Sequence, residues 1–193
     1  MRYLADDEFL RGKVPMTKRE VRILTMAELA AMPGDIVADI GAGTGSLSIE
    51  AARAVGDGTV YAVERNPEAV QLIRENARRF GLTNIVVEEQ EAPAGLEQLP
   101  LLDGAIVGGS GGKLEAIRDG LESGLRPGGR SVLNCITMQT LAAALGYLRQ
   151  RADYHYTAMQ VQINRLQPVG AYDMAKGMNP IFIVTATKQE DKA

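Results

Sequence analysis

The chain predicts one α/β domain: a doubly wound sheet of about seven strands, mostly parallel, with the last strand antiparallel. Three observations lead there. Short apolar runs alternate with helix-like stretches along most of the chain, and that alternation packs helices on both faces of a parallel sheet through right-handed crossovers. One apolar run, Ile36-Val37-Ala38, passes into Asp39-Ile40-Gly41-Ala42-Gly43-Thr44-Gly45 and then a helix start, so a strand, a glycine turn and a helix N-terminus follow one another. The last two strand-like segments have no convincing helix between them, which makes the final one antiparallel.

The elements follow in order. Residues up to about 15 are polar and poorly periodic and read as an arm. Thr17 with Glu20 three places on has capping-box spacing, so a helix is expected from there to about Met32, stopped by Pro33-Gly34. Strands are expected near 35–40, 59–64, 84–89, 103–108, 130–135, 157–165 and 180–187. Helices are expected near 46–55, 67–80, 92–98, 113–124 and 138–151. Asn66-Pro67 is a cap followed by proline at the first helical position, and Gly81 stands where that helix ends. Pro127-Gly128-Gly129 reads as a turn before the fifth strand. Residues 166–179, with Pro168, Gly170 and Gly177, read as a long irregular connection of the kind that carries function or makes interfaces. No repeat or low-complexity linker divides residues 1–193, so a single domain is expected, with residues 1–33 as an arm and helix closing over the site.

Composition narrows the function classes. A length of 193 residues suits one domain with a sizeable core. The formal net charge of −3 argues against a nucleic-acid partner, because phosphate neutralisation needs a basic surface. One cysteine, Cys135, excludes an intrachain disulfide and fits a reducing compartment. With no apolar signal region at the N-terminus and no membrane-length apolar run, a cytoplasmic, membrane-free protein is expected. No metal site is expected. The single histidine, His155, falls away from the expected site, and Cys135, at the end of a buried strand, reads as packing.

The glycine turn carries the chemistry. Glycine has no Cβ, so backbone there can approach a ligand closely. Glu64 closes the next apolar run, Thr59 to Val63, where an acid can accept hydrogen bonds from both ribose hydroxyls of a nucleotide-like cofactor. A dinucleotide fingerprint requires a third small residue three places after the second glycine, and Ser46 occupies it. The chain instead places glycine at every second position, Gly41, Gly43 and Gly45, with Asp39 two residues before the first. That pattern resembles motif I of the class I S-adenosylmethionine-dependent methyltransferases, whose sheet is Rossmann-like. The alternatives are a structural turn or a nicotinamide site.

In open α/β sheets ligands gather at the carboxyl ends of the strands, near the switch in strand order. Besides the glycine turn and Glu64, two segments are expected there. Gln90-Glu91-Ala92 follows the third strand, with Glu91 and the Ala92 backbone toward an adenine. Gly108-Gly109-Ser110-Gly111-Gly112, followed by Lys113, comes after the fourth. That loop lacks the Asn/Asp-Pro-Pro-aromatic motif common in amino methyltransferases. Its glycines offer either a nest of backbone N–H groups for carboxylates or a plain flexible loop.

Taken together, the chain resembles the decarboxylating cobalt-precorrin-6B or precorrin-6B carbon-15 methyltransferases of corrin-ring (cobalamin) biosynthesis. The likeness rests on Met16-Thr17-Lys18-Arg19-Glu20-Val21-Arg22, Asp39 through Ala52, Val60 to Asn66, Glu91-Ala92-Pro93, Gly108 to Gly112, and Asn134-Cys135-Ile136-Thr137. Gln90 and Cys135 stand where the family more often has glycine and alanine. The resemblance implies S-adenosylmethionine as cofactor, lined by Gly41, Ala42, Gly43, Thr44, Gly45, Glu64, Glu91 and Ala92, with Thr17 helping to close over it. It implies a tetrapyrrole substrate, methyl transfer to a ring carbon, loss of CO₂ from an acetate side chain, a homotetramer, and the stand-alone form of the enzyme. Substrate-facing candidates are Gly109, Ser110, Gly111, Lys113, Asn134 and Thr137, with Lys18, Arg19, Arg22, Arg165 and Lys176 as further cations for its carboxylates. The rivals are a tRNA or protein methyltransferase of the same fold, a non-catalytic S-adenosylmethionine-binding oligomer, and a nicotinamide oxidoreductase.

Overall fold

A computed structural model describes residues 2–190. Seven strands form one sheet: β1 (Ile36–Ile40), β2 (Thr59–Glu64), β3 (Ile85–Glu89), β4 (Leu102–Val107), β5 (Leu125–Cys135), β6 (Tyr154–Val161) and β9 (Ile181–Lys188), in the order β3-β2-β1-β4-β5-β9-β6. The first five pair in parallel, and β9 runs antiparallel between β5 and β6. The doubly wound sheet with its antiparallel last strand is as expected. The apolar stretches of β1 and β4 are buried nearly throughout, as strands covered on both faces must be.

The covering helices are α1 (Arg19–Leu29), α2 (Ser46–Val55), α3 (Pro67–Arg79), α4 (Leu114–Gly124) and α5 (Met138–Arg149). Leu114, Ile117 and Leu121 of α4 and Leu141, Ala144 and Leu148 of α5 pack on one face against Ala105, Val107 and Leu133. Met26 and Leu29 of α1 and Leu47, Ala51 and Val55 of α2 pack on the other against Val37, Val60, Ile106 and Val132. Asn66 caps α3, its side chain accepting from the Glu68 N–H at 3.0 Å, with Pro67 at the first helical position. The order changes direction at β1, whose neighbours are β2 and β4, and the register brings the ends of β1, β2 and β4 level.

Five expectations are corrected. Helix α1 begins after Lys18, with no side-chain cap from Thr17, and Glu20 turns away to bind Arg165, so no capping box forms. It ends at Leu29 because Ala30 takes a left-handed conformation (φ 51°) and returns its N–H to the Met26 carbonyl. The helix expected at 92–98 is only a short 3-10 turn, Leu96–Gln98, since Gly95 enters it at φ 77°. The Pro127–Gly129 turn is a bulge inside β5, where the register to β4 jumps from Leu125 to Arg130. Residues 166–179 are not irregular: β7 (Asn164–Val169) and β8 (Tyr172–Gly177) form an exposed hairpin. Its two-residue turn places Gly170 at φ 62°, the positive value such hairpins require at the first central position.

Candidate active site

The glycine turn lies at the carboxyl end of β1. Gly41, Gly43 and Gly45 have φ of 70°, 57° and 76°, a left-handed backbone that strains any residue with a Cβ. The Gly41 and Ala42 N–H groups donate to the Val63 carbonyl at 2.9 and 3.2 Å, which ties the turn to the end of β2. A Cβ on Gly41 would lie 2.4 Å from the Gly109 carbonyl oxygen, so the turn and the loop after β4 meet backbone to backbone. The Gly108 and Gly109 N–H groups both reach the Ile40 carbonyl, at 2.9 and 3.4 Å. Two amides of the expected nest are therefore already engaged.

Glu64 stands at the centre. Its two carboxylate oxygens accept from the Gly43 and Asn66 N–H groups, each at 2.8 Å. These bonds fix the carboxylate plane and leave further lone pairs on both oxygens for a diol. A cavity of about 180 Å³ opens beside it, lined by Gly41, Glu64, Gln90, Glu91, Ala92 and Gly109 among others. Ala92 is buried, while Glu91 sits at the mouth, with Arg65 at 2.6 Å and Lys113 at 3.0 Å from the same oxygen. The Lys113 and Arg65 hydrogen bonds hold the Glu91 carboxyl below its ordinary range. Lys113 thus bridges loops at the rim.

Beneath the turn, Asp39 is fully buried and accepts a 2.5 Å hydrogen bond from Ser48 Oγ. Burial pushes its pKa up to about 6, against the lowering effect of Ser48. Its Oδ1, and the Oγ1 of buried Thr44, have no hydrogen-bond partner among the described residues. A buried acid beneath the glycine turn, with a fixed acid at the ribose position, fits a cationic nucleoside cofactor. A dinucleotide is a poorer fit, because the buried acid opposes a pyrophosphate.

Two further cavities open beyond the β4 loop. One, about 230 Å³, is lined by Val107 to Gly112, Asn134, Ile136, Thr137 and others. The other, about 280 Å³ and mostly apolar, includes Thr17, Lys18, Val21, Val161, Ile163 and Met178. Gly108, Asn134 and Ile136 line both. Gly109, Ser110 and Gly111 line the cofactor-side cavity as well as the first of these two.

A family model described as a precorrin methyltransferase domain matches residues 8–188. The chain belongs to the precorrin methyltransferase family. It is 40% identical to the cobalt-precorrin-6B C(15)-methyltransferase (decarboxylating) of Salmonella typhimurium, over 97% of both chains. Among solved structures it is similar to the precorrin-6y C5,15-methyltransferase of Geobacter metallireducens, with TM-score 0.91 and 38% identity, covering 96% of this chain and 97% of that one. It is also similar to the precorrin 8W decarboxylase of Methanobacterium thermoautotrophicum, with TM-score 0.89 and 34% identity, covering 94% and 98%. The chain is an α/β methyltransferase of the class I type.

Within this precorrin methyltransferase the expected site residues divide into groups. Gly41, Glu64, Glu91 and Ala92 line one crevice, and the Gly43 N–H is tied to it through Glu64, whereas Ala42, Thr44 and Gly45 are not among its lining residues. Thr17 lies in the apolar cavity with Asn134, while the arm crosses the turn at Pro15, whose carbonyl would be 3.4 Å from a Cβ on Gly43. Thr137 caps α5, accepting from the Thr140 N–H at 3.1 Å. Arg22 leaves the list of substrate cations: it is fully buried, donating to Asp6, Thr17 O and Leu4 O at 2.7 Å each and lying 4.7 Å over the Phe9 ring. Arg165 is held by the Glu20 carboxylate at 2.5 and 2.7 Å. His155 is exposed on β6, and Cys135 is buried, its thiol pushed up to about 11 by desolvation.

The residues that clamp the arm escaped the sequence reading. Asn76 of α3 accepts from the Leu10 N–H and donates to the Leu10 carbonyl at 2.8 Å, and reaches the Thr44 carbonyl at 3.0 Å. Glu50 of α2 accepts from the Leu4 N–H at 2.8 Å. The one available signal was polar residues on the apolar faces of α1, α2 and α3.

Proposed function

We propose that this protein uses S-adenosylmethionine to methylate carbon 15 of a precorrin-6B-type tetrapyrrole and removes CO₂ from an acetate side chain of the same ring. One observation carries the reading. The fixed Glu64 carboxylate and the Gly41–Gly45 turn border one crevice, and the β4 loop separates it from apolar cavities large enough to receive part of a macrocycle. The cofactor supplies an electrophilic methyl group on a sulfonium sulfur. Glu64 would bind the ribose hydroxyls, the Ala92 backbone would border the adenine, and buried Asp39 would supply the negative field that favours a cation. Gly109, backed against Gly41, would set the distance between the two ligands. Orientation at near-contact distance can supply several kcal/mol of the barrier without an acid or base, consistent with a site whose residues include no histidine or free cysteine. The rim cation Lys113, and Lys18 in the apolar cavity, would meet carboxylates of the ring.

The proposal includes a homotetramer. The β7–β8 hairpin holds Leu166, Val169, Tyr172 and Met174 exposed, Tyr172 at 78%, an apolar group of the kind that marks an interface. Sedimentation analysis of the wild type and of a Leu166→Glu, Tyr172→Glu double variant tests it; a tetramer that falls apart is the expected result. The catalytic reading is tested by mass spectrometry of a precorrin-6B reaction with methyl-labelled cofactor. One labelled methyl gained and one CO₂ lost is expected. Methyl gain with the carboxyl retained would refute the decarboxylating half.

A further inference from the structure

The apolar cavity of about 280 Å³ has two unlike walls. Thr17, Lys18 and Val21 form one, where the arm passes into the first turn of α1. Ile163, Met178 and Ile181 form the other, at the root of the β7–β8 hairpin. The root is closed on itself: the Met178 N–H donates to the Ile163 carbonyl at 2.9 Å, and Gln162 Nε2 donates to the Met178 carbonyl at 2.8 Å. Residues 162–163 and 178–180, which join the hairpin to β6 and β9, belong to no strand. Both hairpin strands are exposed at every position, so no buried side chain anchors them to the body of the domain. Among the described residues, one side chain of these strands hydrogen-bonds to the rest of the domain. It is Arg165, whose Nη2 donates to both Glu20 carboxylate oxygens, at 2.5 and 2.7 Å. Glu20 stands in α1 one residue before Val21, and Arg165 stands two residues after Ile163, so the pair ties one cavity wall to the other.

Resting on the function proposed above, we infer that the Arg165–Glu20 pair is a strap that holds the hairpin root against α1 and so sets the width of the cavity that receives the tetrapyrrole. Neither side chain lines the cavity, so both are positioning residues that act through Val21, Ile163 and Met178. With the pair broken, the hairpin is attached only through its two short connecting segments, and swinging about them would carry Ile163 and Met178 away from Val21. Holding that wall in place before the ring arrives lowers the ordering cost of binding. A planar guanidinium that grips both oxygens of a carboxylate fixes direction as well as distance, which suits a strap better than a point charge would. Both side chains are partly exposed, so solvent screening keeps the pair's effect to a factor of about five at most. Arg165 thereby leaves the list of cations that pair with the ring's own carboxylates.

The test uses the full-length enzyme with precorrin-6B and labelled cofactor, reading kcat and KM for the ring and, by calorimetry, S-adenosylhomocysteine affinity. Glu20→Lys and Arg165→Glu each set like charges face to face, and the double variant restores an opposite pair. Each single variant should raise KM for the ring roughly three- to fivefold, with kcat and cofactor affinity unchanged, and the double variant should return KM to within about 1.5-fold of wild type. Glu20→Lys is the decisive arm. It adds a positive charge beside a cavity for a polycarboxylate, so direct attraction would lower KM where loss of the strap raises it. A KM in Glu20→Lys at or below the wild-type value would overturn the inference. So would a double variant no better than Arg165→Glu, which would make Arg165 a direct ligand of the ring, or an equal loss of cofactor affinity, which would indicate general distortion. A wild-type enzyme that neither methylates nor decarboxylates the ring would instead overturn the function on which the inference rests.

Discussion

Replacing Gly41 by alanine probes the junction between the cofactor turn and the β4 loop, and Gly43→Ala provides its internal control. Both glycines have positive φ, 70° and 57°, so both variants carry a left-handed strain of about 1–2 kcal/mol. They differ in what the new methyl meets. At Gly43 the nearest atom is the Pro15 carbonyl oxygen at 3.4 Å, an ordinary contact. At Gly41 it is the Gly109 carbonyl oxygen at 2.4 Å, with Gly109 Cα and N at 2.9 Å, so the loop must withdraw by at least about 0.6 Å to reach 3.0 Å. Withdrawal stretches the two hydrogen bonds from Gly108 and Gly109 to the Ile40 carbonyl, each contributing about 1 kcal/mol. Gly41→Ala should therefore cost about 2–4 kcal/mol against about 1–2 for Gly43→Ala. Since Gly109 lines the cavities on both sides, the displacement should also weaken ligand binding. Denaturant melts give the stabilities, and calorimetric titration with S-adenosylhomocysteine should show Gly41→Ala at least tenfold weaker than Gly43→Ala. Equal affinity and equal stability in the two variants would refute the claim that the loop is seated on the turn.

Other expected outcomes follow from the same geometry. Glu64→Gln sets an amide NH₂ against one of two backbone donors and should weaken S-adenosylhomocysteine binding by about 10- to 100-fold in calorimetry; a change under about twofold contradicts the ribose role. Asn76→Ala strands the Leu10 N–H and the Leu10 and Thr44 carbonyls, should cost about 2–4 kcal/mol in urea melts, and should speed proteolysis within the first fifteen residues. Asp39 has a folded pKa raised from 3.8 to about 6, so between those values the folded state binds the extra proton. Stability relative to Asp39→Asn should thus be highest below about pH 4 and fall by roughly 3 kcal/mol as pH rises through 6, read from melts of both proteins across that range. A flat difference would show that Asp39 is not held in an apolar setting.

The sheet and the cofactor crevice were legible because each depends on local pattern. Buried parallel strands must be continuous apolar runs, a turn that meets another backbone must be glycine, and an acid at the end of β2 has few structural reasons to be there. The hairpin was obscured by Pro168, Gly170 and Gly177, which read as loop residues while only Gly170 makes the turn. The arm clamp was illegible for a different reason. Arg22, Glu50 and Asn76 are polar residues among the buried positions of their helices, but nothing near them in sequence names the segment they bind, and no short window encodes that pairing. The Arg65–Glu91–Lys113 cluster joins three loops and is invisible for the same reason.

The central claim is that the crevice between the Gly41–Gly45 turn and Glu64 holds a sulfonium nucleoside. Parallel calorimetric titrations of the wild-type protein with S-adenosylhomocysteine and with a nicotinamide dinucleotide test it most directly. Saturable binding of the first at one site per chain, weakened about 10- to 100-fold in Glu64→Gln and absent for the second, is the predicted result. A protein that takes up the dinucleotide, or gives no heat with either ligand, would contradict it.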